Sequence, residues 1–187
     1  MKRSFVIVSS LVMLLWAAVS WADAYSDATT LFKQSKQSSA FFQNAYGYAI
    51  FPSIGKGGLI VGGAHGNGRV FVHDQHVGDT SMTQVSIGLQ AGGQAYSQII
   101  FFKDKSAFES FTSGNFEFDA GASAVVITAA AGATAGSQGA SGSVSGDKNN
   151  ANTAGAYHKG MAVFTVVKGG AMVQATVAGQ KFKYKPL

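Results

Sequence analysis

Four basic side chains have the type and spacing to bind an anionic ligand. Lys33 and Lys36 lie three positions apart in a stretch of helical periodicity, so they share neighbouring positions on the helix surface. Lys56 and Arg69 accompany a glycine-rich segment whose glycines occupy positions 55, 57, 58, 62, 63, 66 and 68. Backbone N–H groups in glycine turns can form an anion nest, which would suit a lipid headgroup. The alternative is that the basic residues are solvated and the glycines serve only tight turns.

The sequence motifs do not predict a catalytic activity. The chain has no Cys, which excludes a disulfide framework, a Cys-based zinc site and a thiol nucleophile. It also has no H-E-x-x-H, G-x-S-x-G or P-loop motif. His73 and His76 form the densest group of metal-ligand types, but no third ligand is identifiable, and a solvated hairpin tip is favoured. Glu117 and Asp119 would share one strand face, and solvated carboxylates are favoured there over an acid/base pair. We expect a non-enzymatic protein with no metal and no cofactor.

The composition is that of a folded chain with a mild basic excess. Apolar residues make up 47% and charged residues only 12%, which excludes a charge-rich disordered protein. The formal net charge is +5, and part of that excess comes from Lys2 and Arg3. Arg69 is the single arginine after Arg3, whereas proteins that read bases and phosphates depend on arginine. Binding to nucleic acid is therefore not expected.

Residues 1–22 have the layout of a secretory signal peptide. A short basic segment precedes the apolar run Phe5 to Val19, and Ser20 and Ala22 place small residues at positions −3 and −1 of a cleavage site. A membrane anchor is the alternative, but the run is short for a span of about 20 residues. Asp23 follows the site, so nothing suggests a lipoprotein. We expect a periplasmic protein that is soluble or peripheral to a membrane.

The remaining residues, 23–187, predict a single α+β domain. Residues 25–46 have helical periodicity, and a capping box of Ser106 and Glu109 predicts a short helix near 104–113. From residue 48 onwards short strand-like runs follow one another with few intervening helices, which favours an antiparallel sheet. Glycines inside those runs are typical of bulges and bends. The expected fold is a strongly curved, mainly antiparallel, barrel-like β-sheet with an N-terminal helix and this short helix.

Three further expectations each concern a single segment of the chain. Residues 132–155 are dominated by small and polar side chains, which allow either a flexible loop or glycine-tolerant strands. In the last strand, Phe182 and Tyr184 alternate with lysines at 181, 183 and 185. At least one of Gly62 and Gly63 is expected to need a positive φ or a close backbone contact, so that Gly63→Val would destabilise the fold by more than about 1 kcal/mol.

Several segments together resemble the SYLF domain family. The resemblance runs through AYGYAIFP at 45–52, KGGLIVGG at 56–63, VSIGLQAGGQ at 85–94 and KGGAM at 168–172. These segments keep the order and spacing of the family pattern, and the similarity covers about residues 30–185. It is specific because of this combined order, not because of any one segment.

The resemblance implies a lipid-binding module. Eukaryotic members bind phosphoinositide membranes, partly through a basic amphipathic N-terminal segment. This chain has only two lysines there. The basic segment at Lys2 and Arg3 has the style of a bacterial signal peptide, and bacteria generally lack phosphoinositides, so an anionic phospholipid or membrane surface is the expected partner. The predicted lipid contacts are basic residues at the headgroups and exposed aromatic residues in the interface, namely Lys33, Lys36, Lys56, Arg69, Phe41 and Phe42. The alternative is a structural or interaction protein of the periplasm that docks an unknown protein partner.

Sequencing the N-terminus of the secreted protein tests the signal peptide. Because Ser20 and Ala22 are small, the mature chain should begin at Asp23, or at Tyr25 if cleavage follows Ala24. A mature protein that retains Met1 would contradict the periplasmic location.

Overall fold

The computed structural model describes residues 24–58, 61–87, 93–127, 157–169 and 177–187. The predicted signal peptide and the segment 132–155 lie outside the described residues. The described helices are α1 (24–34), α2 (Ser39–Asn44) and α3 (Lys105–Phe111). None of the helices in these ranges is long and apolar enough to cross a membrane.

The strands of the described residues form one mixed sheet. Their bounds are β1 Gly47–Gly58, β2 Val61–Val72, β3 Gln75–Ile87, β4 Gln94–Phe102, β5 Phe116–Glu117, β6 Ala124–Ile127, β7 Met161–Gly169 and β8 Lys181–Pro186. Their order across the sheet is β5-β8-β3-β2-β1-β4-β7-β6. Each neighbouring pair is antiparallel except β6 and β7, which are parallel. The predicted α+β class with a mainly antiparallel sheet is confirmed.

The helices differ from the sequence prediction in two details. The periodicity over 25–46 belongs to two helices, because the chain turns at 35–38 and the Ser38 hydroxyl donates to the Phe32 carbonyl at 2.6 Å. The short helix near 104–113 is present, but the predicted capping box at Ser106 is wrong. Asp104 is the N-cap, and its Oδ1 accepts from the Ala107 N–H at 2.9 Å.

A buried pair of glutamines shows that the sheet curls. Gln180 directly precedes β8, and Gln98 lies on β4, four strand positions away in the sheet, which would be about 19 Å on a flat surface. The two side chains nevertheless exchange hydrogen bonds of 2.9 and 3.2 Å. The Gln180 amide also donates to the Tyr96 hydroxyl at 3.3 Å. The sheet therefore curls into a half-barrel. The strong curvature predicted from the glycines is confirmed.

Aromatic side chains fill the inner face of this curl. Phe182 of β8 packs against Phe51 of β1 with ring centroids 5.7 Å apart, and against Phe111 of α3 at 5.1 Å. Phe118 and Phe116 complete the group around Phe182. Helix α3 lies on this side, where Ala107 and Phe111 are buried.

A second apolar cluster covers part of the outer face. Helix α1 contributes Tyr25, Ala28 and Phe32, which pack on residues of β1, β4 and β7 such as Ile50 and Phe101. Phe32 and Phe101 have no exposed surface. The two faces of the sheet thus have separate cores, and the outer core lies mainly over β1, β4 and β7.

On β2 the structure requires a glycine at Gly68, whereas Gly63 has space for a side chain. A Cβ on Gly63 would meet nothing closer than the Gln84 carbonyl at 3.7 Å, and its φ is not positive, so the expected constraint at Gly63 is wrong. A Cβ on Gly68 would lie 2.7 Å from the Phe51 ring and 2.8 Å from the Ile50 carbonyl. The close approach is needed at Gly68 because the opposing strand β1 has a register shift between Ile50 and Ile54.

Alanine substitutions at these two glycines should therefore differ. Gly68→Ala should lower the free energy of unfolding by about 1–3 kcal/mol, because the Phe51 ring and the Ile50 backbone must both move. Gly63→Ala, five residues away on the same strand, should change it by less than about 0.5 kcal/mol. Urea denaturation of both variants measures the difference. Equal losses would contradict the assignment of the constraint to Gly68.

Candidate functional site

A pocket of about 340 Å³ lies between α1 and the outer face of the sheet. Residues of α1 form one side, and residues of β1 and β2 form the other. Its lining combines cations, hydroxyls and aromatic rings: Tyr25, Ser26, Thr29, Thr30, Lys33, Tyr48, Arg69 and Phe71. Two of the four basic residues predicted from the sequence, Lys33 and Arg69, therefore meet at one site.

Arg69 is held on the outer face by aromatic and acidic neighbours. It lies opposite Ile50 on β1 and Asp79 on β3, and directly opposite residues of an antiparallel pair point to the same face. Its guanidinium carbon lies 4.3 Å from the centre of the Tyr25 ring, a cation–π contact. Its Nε lies 4.0 Å from Asp79 Oδ1, at the limit of an ion pair, and Asp79 also contacts His76 at 3.1 Å. Asp79 is thus shared between Arg69 and His76. Much of the positive charge of Arg69 therefore remains available to a ligand in the pocket.

Lys33 supplies the second positive charge of the pocket. Its Nζ lies 5.3 Å from the centre of the Phe42 ring, so α2 positions it through a cation–π contact. Lys36 lies in the exposed turn after α1 and is not part of the lining. The two lysines expected to share a helix surface are therefore separated by the end of the helix.

Hydroxyl groups surround these two cations. Thr29 donates to the Tyr25 carbonyl at 2.8 Å, which fixes its rotamer on α1. The Tyr48 hydroxyl lies 3.5 Å from Asp74 Oδ1. Burial, together with the Asp74 charge, raises the pKa of Tyr48 to about 12, so it stays a neutral donor. Burial also raises the pKa of Tyr25, against the opposing effect of Arg69. Two cations among neutral hydroxyls suit an anion that also carries hydroxyl or ester oxygens.

Lys56 lies on the opposite face of the sheet. It pairs with Ala64, which belongs to the inner core, and Ile54, two residues before it, is buried in the same core. Burial lowers the pKa of Lys56. Along the strand it lies six positions from Ile50, the residue opposite Arg69, or about 20 Å. The expectation that Lys33, Lys36, Lys56 and Arg69 form one surface is therefore wrong.

Phe41 and Phe42 are half-buried, not exposed. Phe41 packs on Phe101 at 5.4 Å and on Phe164 at 4.9 Å between ring centres. Phe42 packs on Tyr48 at 5.3 Å and on Phe101 at 4.9 Å. The expectation of two exposed aromatic side chains is wrong, because α2 turns both rings onto the outer core.

The other polar groups considered from the sequence have structural partners. His73 and Asp74 have φ values of 49° and 62° and form the two-residue turn of the β2–β3 hairpin, as expected for a hairpin tip. Hydrogen bonds from Lys159 and His158 lower the pKa of Asp119 to about 2, so it is an anion at neutral pH. Glu117 instead contacts Lys181 at 3.5 Å, so the two carboxylates do not act as a pair. The described ranges contain no group of His, Asp and Glu side chains placed to bind a metal ion.

On the α1 side of the pocket, Lys33 was predicted from the sequence but Tyr25 and Thr29 were not. Tyr25, Thr29 and Lys33 follow one another at intervals of four, which places them on one face of a helix. This spacing was a signal that could have been found. The contact of Tyr25 with Arg69, 44 positions later, depends on how α1 packs on the sheet and has no local signature.

Comparisons with known proteins identify the family of the chain. A family model described as "Ysc84: Las17-binding protein actin regulator" matches residues 83–185, which is more than half of the chain. Beta cell expansion factor A from Aeromonas veronii is 30% identical over 154 residues, covering 81% of this chain and 51% of that protein. The chain thus spans about half the length of this curated relative. The family description names binding and no reaction. The chain belongs to the Ysc84 family, the family of the SYLF domain.

Proposed function

We propose that the chain is a non-enzymatic lipid-binding protein of the bacterial envelope that contacts anionic phospholipid headgroups. The observation that carries this proposal is the pocket in which Lys33 and Arg69 face hydroxyl groups on the outer surface of the sheet. A phospholipid headgroup presents a phosphate together with ester or hydroxyl oxygens, which matches two cations set among neutral hydroxyl groups. A periplasmic location would follow from the predicted signal peptide.

The aromatic contacts of both cations support a binding role. Arg69 lies over Tyr25 and Lys33 lies near Phe42, so neither long side chain has to be ordered from a fully free state when a ligand arrives. Asp79 alone is too exposed to neutralise Arg69, since its side chain is 59% accessible and water screens the pair. The pocket is therefore preorganised and positively charged.

The family description favours a second candidate function. It names a Las17-binding protein and an actin regulator, so protein partners are part of how the family is described. On that basis the alternative is an interaction protein of the periplasm that docks a protein of unknown identity. Wild-type protein that stays in the supernatant with anionic vesicles at low salt would contradict the lipid proposal and favour this alternative.

Neutralising the two pocket cations tests the lipid proposal. Lys33→Gln with Arg69→Gln should weaken binding to phosphatidylglycerol vesicles about 30-fold at low salt, because each cation near a membrane contributes about 1 kcal/mol. Lys56→Gln is the matched control from the opposite face and should bind like wild type. Cosedimentation measures all three proteins, and circular dichroism verifies that they are folded. Unchanged binding of the double variant would contradict the pocket assignment.

Salt should weaken the same interaction. The Debye length falls from about 10 Å at 0.1 M to about 3 Å at 1 M, so a contact governed by Lys33 and Arg69 should be largely lost at high salt. Cosedimentation of the wild-type protein across this salt range measures the effect. Salt-independent binding would point to an apolar lipid site instead.

A further inference from the structure

Three lysines lie in a row on the outer side of β8. Lys181, Lys183 and Lys185 are exposed, whereas Phe182 is buried in the inner core and Tyr184 packs against it. Because alternate residues of a strand point to opposite faces, all three lysines project outward, about 7 Å apart along the strand. Their direct partners on β3, which share this face, are Thr83, Ser81 and Asp79.

The same face continues onto β2. Thr83 pairs with His65, Ser81 pairs with Asn67, and Asp79 pairs with Arg69. The outward residues of β2, β3 and β8 therefore form three parallel rows of polar side chains, which we name the lysine face. Helices α1 and α2 pack mainly over β1, β4 and β7, and α1 reaches the lysine face at Arg69, where Tyr25 contacts the guanidinium. The other residues of the lysine face are exposed or partly exposed among the described residues.

The charge of this face is mainly positive. Arg69 and the three lysines supply four cations, against Asp79 within the face and Glu117 at its β5 edge. Glu117 pairs with Lys181 at 3.5 Å, and Asp79 contacts Arg69 and His76. Among the described residues, Lys183 and Lys185 have no acidic partner within 4 Å. The centre and one end of the row thus present uncompensated charge to solvent.

Exposed apolar side chains lie at two ends of the lysine face. Val85, the outward residue of β3 next after Thr83, is 76% accessible. Leu187, directly after β8, is 78% accessible, and its N–H donates to the Val77 carbonyl near the start of β3. Cations flanked by exposed apolar groups match the interface of a bilayer, where lysines meet headgroups and apolar side chains reach the acyl boundary. An acidic protein surface would use the charges but would leave Val85 and Leu187 in water.

We infer that the lysine face is the surface with which the protein lies on an anionic phospholipid bilayer. The inference rests on the proposed function and deepens it. Arg69 belongs to the lysine face, where it pairs with Asp79, and it also lines the pocket. The two sites are therefore continuous. A bilayer in contact with the face would bring headgroups to the mouth of the pocket. Lysines provide dispersed point charges for a surface, whereas the pocket holds a single headgroup.

A pair of charge-matched double variants tests the inference. Lys183→Gln with Lys185→Gln should weaken binding to phosphatidylglycerol vesicles by about tenfold or more at low salt. Lys103→Gln with Lys105→Gln removes the same charge from exposed positions between the end of β4 and the start of α3, outside the lysine face, and should change binding less than about twofold. Equal losses in the two variants would overturn the inference, because only the net charge would then matter.

The absence of Cys permits a test of orientation that does not depend on charge. An environment-sensitive dye on Thr83→Cys, within the lysine face, should shift to the blue when vesicles are added. The same dye on Ser110→Cys, exposed on α3, should not shift. A shift at Ser110 alone would place the opposite side of the sheet against the bilayer and overturn the inference.

The failures of the two proposals are distinguishable. If wild-type protein does not bind phosphatidylglycerol vesicles, the proposed lipid function fails and this inference fails with it. If wild type binds, the pocket variant loses binding and the Lys183/Lys185 variant does not, the lipid function stands and the lysine face is excluded. If the Lys183/Lys185 variant loses affinity for polyglutamate but not for vesicles, the face binds acidic protein and the bilayer assignment is overturned.

Discussion

The curl of the sheet depends on a polar contact in an apolar interior. Gln98 and Gln180 are almost fully buried, and a buried amide without partners costs about 1–3 kcal/mol by mutational measures. Their reciprocal hydrogen bonds satisfy both groups only when the start of β8 reaches across to β4. The Tyr96 hydroxyl takes part in the same cluster, and its burial raises its pKa to about 12, so it remains neutral. The glutamine pair therefore favours one particular curvature of the sheet. The phenylalanines around Phe182 fill the interior that this curvature encloses.

The curvature gives the sheet an inner and an outer face that differ in chemical character. The inner face is covered by aromatic packing and by α3. The outer face is apolar over β1, β4 and β7, where α1 and α2 cover it, and polar over β2, β3 and β8. The boundary runs along β2 at Arg69, and the pocket lies at this boundary. The pocket forms there because the edge of α1 meets the first polar row of the sheet.

Sequence patterns predicted those features that depend on local spacing. The alternation in β8 assigned Phe182 and the lysines to opposite faces, the glycines indicated a bent antiparallel sheet, and the ordered motifs indicated the family. What could not be predicted depends on register. The shift in β1 between Ile50 and Ile54 changes which face the following residues occupy, so Lys56 points inward while Arg69 points outward. Likewise, the burial of Phe41 follows from the turn at 35–38, which no periodicity reveals.

Charge counted along the sequence is therefore a poor guide to the charge of a surface in this fold. The four basic residues that seemed to form a set are divided between two faces. Lys185 of the last strand, 116 positions after Arg69, lies level with it on the same face, with Asp79 of β3 between them. Each exposed lysine costs little stability on an outward strand position, because its charge stays in water. Placed together by strand pairing, such residues create a field that no single segment contains. The pairing of β3 with both β2 and β8 is what converts scattered charges into one candidate binding surface.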